Sequence, residues 1–220
     1  MPERSSKTTV ILVRHGETEW NLNGRIQGHS DSALTTLGSE QGRRAAERLA
    51  GKRIAAVYAS PAPRARDTGE LIAAPHGLTV QLVGDLRERC YGRYEGLTVA
   101  EIAEQDRAAL EQWLPHPNRE QLAPPEGESQ PDMSQRVMAA LRQIVAQHPG
   151  ETVVIATHGG PIKSAVFAIL VIPITSWHRT WVSNGSLTTL RGTPDELRVA
   201  CFNDTCHLDS TYAKPRSIEG

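Results

Sequence analysis

Two histidines of this 220-residue chain share one context. The run Thr8 to Val13 (TTVILV) ends in Arg14-His15-Gly16, and the run Thr152 to Ala156 (TVVIA) ends in Thr157-His158-Gly159-Gly160. Continuous β-branched and apolar runs of this length are expected for strands buried on both faces. A histidine leaving such a strand is set at the carboxyl edge of the sheet. The glycine after it lets the backbone turn sharply and leaves room for a ligand. One such histidine reads as a structural residue; two in the same strand-His-Gly context point to chemistry. A third run, Ile54 to Ala59, leads into Ser60-Pro61-Ala62-Pro63-Arg64, which predicts Arg64 in the first turn of a helix at the same edge. Alone, Arg64 would be a solvated helix residue. Beside two strand-end histidines it reads as an anion-binding group.

The elements that must position these residues alternate between strand and helix. Thr36 to Leu49 reads as a helix closed by Gly51. Ser60-Pro61 reads as an N-cap followed by proline at the first helical position, opening a helix to about Ala74. Thr79 to Val83 is a third strand, and Thr98 with Glu101 forms a capping box that opens a helix to Trp113 or Leu114. Pro115 to Pro131 carries Pro115, Pro117, Pro124, Pro125 and Pro131, a density that predicts a surface loop or lid. Helical spacing returns over Asp132 to Ala146 and over the apolar stretch Pro161 to Val171. Ser186 to Leu190 and Leu197 to Phe202 make a hairpin around Gly192, Pro194 and Asp195, and residues 203–220 form a tail. The reading is α/β: a three-layer α/β/α sandwich with a mostly parallel central sheet, in one domain spanning 1–220. Ligands of such sheets bind at the carboxyl ends of the strands.

With those motifs in order, Leu12-Val13-Arg14-His15-Gly16-Glu17-Thr18-Glu19-Trp20-Asn21 resembles the defining motif of the histidine phosphatase superfamily, in its phosphoglycerate mutase-like branch. Arg25-Ile26-Gln27-Gly28 with Leu34-Thr35 resembles its next segment, and Tyr58-Ala59-Ser60-Pro61 with Arg64, Ala65 and Thr68 the segment bearing its second arginine. Leu86-Arg87-Glu88-Arg89 with Gly92, Glu95 and Gly96 resembles the acid-bearing loop, and Thr157-His158-Gly159-Gly160 the second histidine motif. The resemblance implies a phosphoglycerate mutase-like fold and a phosphohistidine intermediate. His15 would be the nucleophile, splitting phosphoryl transfer into two displacements. Arg14, Arg64 and His158 would grip the phosphoryl oxygens, with Asn21, Gln27, Gly28 and Gly159 around the substrate. Glu88 would be the general acid. Its plainer reading is an exposed carboxylate paired with Arg87 or Arg89, and Glu95 competes for the role from the same loop. No metal or cofactor is expected, because the arginines and imidazole neutralise the phosphoryl charge.

Hydrolase and mutase share this chemistry. The mutases of the family hold their substrate's carboxylate with a lysine shortly after the acid-bearing loop and an arginine pair after the next helix. Here Gly96-Leu97 is followed by Thr98-Val99-Ala100, and Leu114-Pro115-His116-Pro117-Asn118-Arg119 holds a single arginine. The expectation is therefore a phosphomonoester hydrolase acting on small phosphorylated metabolites. The alternatives are a cofactor-dependent phosphoglycerate mutase and a catalytically silent, phosphate-binding regulatory module. Lys plus Arg total 24 and Asp plus Glu 25, a net charge of -1 that gives no bulk footprint for nucleic acid or an anionic membrane. Aromatic residues are only 5%, against a base-stacking surface, and no run is long enough to span a bilayer. Cys90, Cys201 and Cys206 are too few for a disulfide framework, so the cytoplasm is the default compartment. Cys201, Cys206 and His207 lack the spacing of a zinc site and read as packing or tail residues. Apolar residues in Phe167 to Ile174 suit either the core or a homodimer interface.

Overall fold

The buried strands present alternate residues to two different cores, and this divides the molecule into layers. The computed structural model describes residues 6–108 and 123–208. In chain order the elements are β1 (Thr8–Arg14), α1 (Glu19–Leu22), α2 (Thr36–Leu49), β2 (Ala56–Ala59), α3 (Pro63–Ala73), β3 (Val80–Leu82), α4 (Val99–Gln105), α5 (Gln130–Gln147), β4 (Thr152–Thr157), α6 (Gly159–Leu170), β5 (Leu187–Gly192) and β6 (Leu197–Asp204). Val10 and Leu12 of β1 and Val153 and Ile155 of β4 pack with Val137 and Leu141 of α5 and Ile162 and Ala165 of α6. Ile11, Val13 and Val154 point the other way, onto Ala45 and Leu49 of α2 and Ile72 of α3. The result is the three-layer α/β/α sandwich that the sequence predicts. Each fully buried Leu, Ile or Val in these layers contributes about 1.5–3 kcal/mol of hydrophobic stabilisation.

The sheet runs β3-β2-β4-β1-β5-β6. The β1–β4, β2–β4 and β2–β3 pairs are parallel, whereas β1–β5 and β5–β6 are antiparallel, so the sheet is mostly parallel with an antiparallel edge. Helix α2, after β1, covers one face, while α6, after β4, covers the other. Adjacent parallel strands whose following helices leave to opposite faces create a crevice at their carboxyl ends, the usual ligand position in such sheets.

Several predicted boundaries move, each for a local reason. Helix α3 starts at Pro63, with Ala62 at its N-cap and no side-chain cap, instead of at Ser60-Pro61. Helix α4 stops at Gln105 because Asp106 leaves helical geometry (φ -145, ψ 58), short of the predicted Trp113 or Leu114. Helix α5 begins at Gln130, capped by Ser129, and so takes Pro131 from the predicted loop. Pro131 and, in α6, Pro161 both lie in a first turn, where a backbone N–H has no intrahelical acceptor to lose. The one-turn helix α1 is an addition, closed by a reciprocal Thr18–Asn21 capping box. The stretch 109–122, with the first part of the predicted proline-rich lid (Pro115 and Pro117) and with His116 and Arg119, lies outside the described residues, as does 209–220 of the tail. In the apolar segment Phe167 to Ile174, Phe167 is buried against Trp177, whereas Leu170 and Val171 are exposed. Among the described residues no helix is long and apolar enough to cross a membrane.

The turn after β1 is fixed by a close backbone approach. A Cβ on Gly16 would lie 2.1 Å from the Gly38 carbonyl oxygen, and one on Gly38 1.9 Å from that of Glu17. Thr35 caps α2 by accepting the Gly38 N–H at 2.9 Å, which holds the two segments together. Helix propensity alone would make Gly38→Ala stabilising by about 1 kcal/mol. The overlap with backbone reverses the sign, and a net destabilisation of about 1–3 kcal/mol is expected from the urea midpoint. Gly51→Ala, with nothing within 4 Å of its Cβ, should be neutral or slightly stabilising in the same measurement.

Candidate active site

Strand register brings the two histidines together. In the parallel β1–β4 pair Arg14 is opposite Thr157, so His15 and His158 leave the sheet side by side. Their rings meet edge to face, with centroids 5.1 Å apart. Ala59 of β2 is opposite Ala156, which carries Ser60 to the same edge, where its Oγ lies 2.8 Å from His158 Nε2. Ser60 is thus a site residue and not the helix cap that its sequence context suggests.

His15 is 3% exposed, and its orientation is set by backbone. Its N–H donates to the Thr157 carbonyl at 2.9 Å, and its own carbonyl accepts from Gly185 N–H and from Asn184 Nδ2. The ring Nδ1 lies 2.7 Å from the Gly16 carbonyl oxygen. A carbonyl can only accept, so Nδ1 carries the proton and Nε2 keeps its lone pair. Burial, and then the charges of Arg64 and Arg14, push the His15 pKa well below the usual imidazole value. Burial and the same cations do so for His158, with His15 adding to the effect. Both imidazoles are therefore neutral near pH 7.

The two arginines flank this pair. Arg64, 1% exposed, donates through Nη1 to the Ser30 carbonyl at 2.8 Å and to Asp31 Oδ1 at 2.5 Å, and through Nη2 to the Gly28 carbonyl at 2.8 Å. Arg14 donates to the Val182 carbonyl and lies under the Trp181 ring, 6.0 Å from its centroid. Desolvation lowers its pKa to about 10, against the opposing pull of Glu88, so it stays charged at neutral pH. Arg14 Nε, Arg64 Nε and His158 Nδ1 are buried without a hydrogen-bond partner among the described residues. Buried donors are normally paired. Unpaired guanidinium N–H groups beside a neutral imidazole, at the N-terminus of the twelve-residue helix α6, suit an anion such as a phosphoryl group.

The competing carboxylates separate cleanly. Glu95 Oε1 accepts from His29 N–H at 2.8 Å and Tyr91 N–H at 3.0 Å, and Oε2 accepts from Ser30 N–H and Oγ at 2.8 and 2.7 Å. Burial pushes the Glu95 pKa up, but these hydrogen bonds outweigh it and hold the group below the usual carboxylate range. Glu95 is a staple between two loops. Glu88 accepts only backbone donors among the described residues: Arg89 N–H at 2.9 Å and Gly160 N–H at 3.1 Å. The ion pair with Arg87 or Arg89 considered from sequence does not form. A Cβ on Gly160 would sit 2.0 Å from Glu88 Oε1, so that glycine makes room for the carboxylate directly beside His158.

The remaining expected site residues sit around this centre. Asn21 Oδ1 accepts from Asn184 Nδ2 at 3.2 Å, which ties the α1 segment to the loop behind His15. Gln27 is buried, with Oε1 unpartnered among the described residues, and Gly28 contributes the carbonyl that holds Arg64. Gly159 stands against Arg14, whose Nε would be 3.6 Å from a Cβ there. Sequence reasoning missed Ser60 and Asn184; the Ser-Asn-Gly turn before β5 was the available signal. His207, read as a tail residue, approaches the Gly185 carbonyl with Nε2 at 2.9 Å and supports that turn. Cys90, Cys201 and Cys206 are free thiols, and among the described residues no group of three or more His, Cys, Asp or Glu could hold a metal ion.

Comparison with known proteins agrees with this geometry. The profile of the histidine phosphatase superfamily (branch 1) matches residues 10–205, and the chain belongs to that family. It is 34% identical to the metal-independent phosphoserine phosphatase of Arabidopsis thaliana over 221 residues, covering 98% of this chain and 90% of that protein. Among solved structures it is similar to Bacillus stearothermophilus YhfR, with a TM-score of 0.84 and 35% identity over 91% of this chain and 98% of that one. It also resembles an Entamoeba histolytica phosphoserine phosphatase solved in complex with 3-phosphoglyceric acid, with a TM-score of 0.80 and 31% identity over 91% of this chain and 99% of that one.

The tautomer and charge of the two histidines can be read directly. Long-range ¹H–¹⁵N spectra at pH 6 should show both imidazoles neutral and His15 as the Nδ1–H form; imidazolium signals at that pH would contradict the buried cationic setting. An unfolded chain takes up protons at both positions below about pH 6.5 and the folded chain does not, so this pair lowers stability as pH falls through that value.

Proposed function

We propose that the protein is a phosphomonoester hydrolase that works through a phosphohistidine on small phosphorylated metabolites. The observation that carries this reading is a neutral His15, with Nε2 free to attack, beside Arg14, Arg64 and His158. His15 Nε2 attacks phosphorus in line and forms the N–P bond as the P–O bond to the leaving alcohol breaks. The Gly16 carbonyl accepts the Nδ1–H and so stabilises the positive charge that the ring gains. The guanidinium groups and His158 hold the phosphoryl oxygens; one preorganised donor of this kind is worth about 3–4 kcal/mol. Glu88 protonates the departing alkoxide. In the second half it takes a proton from water, whose oxygen attacks phosphorus, and inorganic phosphate leaves as His15 is regenerated.

The fixed arginines supply the charge neutralisation that a divalent cation gives other phosphatases, which supports metal-independent action. The mutase reading is weaker. Where a lysine would stand, Thr98 caps α4, and Glu101 pairs with Arg25 at 2.6 Å, so that cation is already taken up in the rim. The Arabidopsis and Entamoeba relatives are named as phosphoserine phosphatases, which favours small phosphate esters as the substrate class. Three free thiols support a reducing, cytoplasmic setting.

Hydrolysis of an aryl phosphate in the presence of EDTA should persist in the native protein and fall to background in His15→Ala. Acid-quenched protein should lose its ³²P label, whereas base-quenched protein should keep it; label on serine or aspartate would refute the intermediate. Interconversion of 3- and 2-phosphoglycerate far faster than phosphate release would establish the mutase instead. Glu88→Gln should lower kcat/KM for an alkyl phosphate by roughly 10²-fold or more. It should spare 2,4-dinitrophenyl phosphate, whose leaving group needs no proton.

A further inference from the structure

The loop that carries Glu88 has no regular structure beyond two 3-10 turns, Gly84–Leu86 and Gly92–Tyr94, yet its carboxylate must be held to within a fraction of an ångström to act as an acid. Thr157 Oγ1 donates to the Leu86 carbonyl at 2.7 Å and His29 Nε2 lies 3.0 Å from the Glu88 carbonyl, but one side chain spans the loop from Asp85 to Glu88. Arg136 of α5 donates through Nη1 to the Asp85 carbonyl at 2.7 Å and the Arg87 carbonyl at 2.8 Å, and through Nη2 to the Glu88 carbonyl at 2.9 Å. The fork is fixed from behind by Glu128, whose two oxygens accept from Arg136 Nε at 2.6 Å and Nη2 at 2.7 Å. Glu128 in turn is bound to the loop: its carbonyl accepts Arg89 Nε at 2.7 Å, and its N–H donates to the Cys90 carbonyl at 2.9 Å. Arg136 and Glu128 are both largely buried, with side chains 19% and 17% exposed. With the Asp85, Arg87 and Glu88 carbonyls turned toward Arg136, the Glu88 side chain reaches the Gly160 N–H.

We infer that Arg136, anchored by Glu128, is the positioning residue for the general acid. The inference rests on the assignment of Glu88 as that acid. A planar guanidinium with five N–H donors can hold three carbonyls and a carboxylate together, and an ammonium cannot. The role is therefore geometric and distinct from charge. It acts through Glu88, on the leaving group; on the phosphoryl cradle Arg136 acts only as the smallest of the charges that keep His158 neutral, a charge that Arg136→Lys retains.

The test compares kcat/KM for phosphoserine and for 2,4-dinitrophenyl phosphate in the full-length wild type, Arg136→Lys, Arg136→Ala, Glu128→Gln and Glu88→Gln. Arg136→Lys should lose roughly tenfold or more on phosphoserine relative to the aryl ester. Arg136→Ala and Glu128→Gln should show the same selectivity, whatever their melting temperatures. In a Glu88→Gln background, Arg136→Lys should add no further discrimination. Equal losses on both esters, full activity in Arg136→Lys, or a loss confined to KM would overturn the inference and make Arg136 a stabilising or substrate-binding residue. If Arg136→Ala fails to fold, the lysine and Glu128 variants still decide. Absence of leaving-group discrimination in Glu88→Gln itself would instead remove the acid assignment, and this inference with it.

Discussion

The site depends on keeping two imidazoles neutral next to two guanidinium groups that stay charged at neutral pH. In water, a histidine at pH 7 is mostly neutral without help, but it also has every hydrogen-bonding orientation open to it. Here burial and the neighbouring cations suppress protonation of both rings, and the Gly16 carbonyl selects one tautomer of His15. The same burial is costly for the arginines, because a desolvated guanidinium needs partners. Arg64 finds them in Asp31 and two carbonyls, and Arg14 in the Val182 carbonyl and the field of Glu88. Each arginine nevertheless keeps one buried N–H unpaired among the described residues. A phosphoryl group bound as proposed would satisfy those donors and balance the two guanidinium charges.

The rest of the fold maintains this arrangement by backbone contacts. Parallel pairing of β1 with β4 sets His15 against His158, and pairing of β4 with β2 sets Ser60 against His158. The antiparallel β5 closes the opposite side, since the turn before it delivers Asn184 and Gly185 to the His15 carbonyl. A sheet with helices on both faces resists relative sliding of its strands, because a one-residue slip would exchange the residues of the two cores. The precision needed for in-line attack is thus inherited from hydrophobic packing of Val10, Leu12, Val153 and Ile155 on one side and Ile11, Val13 and Val154 on the other.

What could be read in the sequence follows from the range of the interactions involved. The strands, the helices behind them and the strand-end positions of His15, His158 and Arg64 are local patterns, so they were legible. Helix starts shifted by two residues because proline fits several first-turn positions equally well, as at Pro63, Pro131 and Pro161. The choice between Glu88 and Glu95 rested on family resemblance alone, because both are carboxylates in one loop; only the donors around Glu95 show that its oxygens are already used. Asn184 acts on a residue 169 positions away, and Ser60 on one 98 away. No window of sequence contains such pairs. Arg136 was not singled out in the sequence, because apart from Glu128 its partners are three backbone carbonyls, which leave no sequence signature.

The division of labour between sheet edge and loop has a chemical reason. Every phosphate monoester presents the same phosphoryl group, so the residues that meet it can sit on strand ends, where geometry is least adjustable. The leaving alcohol differs from one ester to the next. The group proposed to serve it, Glu88, stands on an irregular loop held by Arg136 of α5, by the Glu95 staple and, at the Leu86 carbonyl, by Thr157 at the end of β4. A change in that loop can alter how an alcohol is accommodated without shifting His15 relative to the arginines. Under the proposed function, esters are then distinguished by the shape and hydrogen bonding of that loop and not by the phosphoryl cradle.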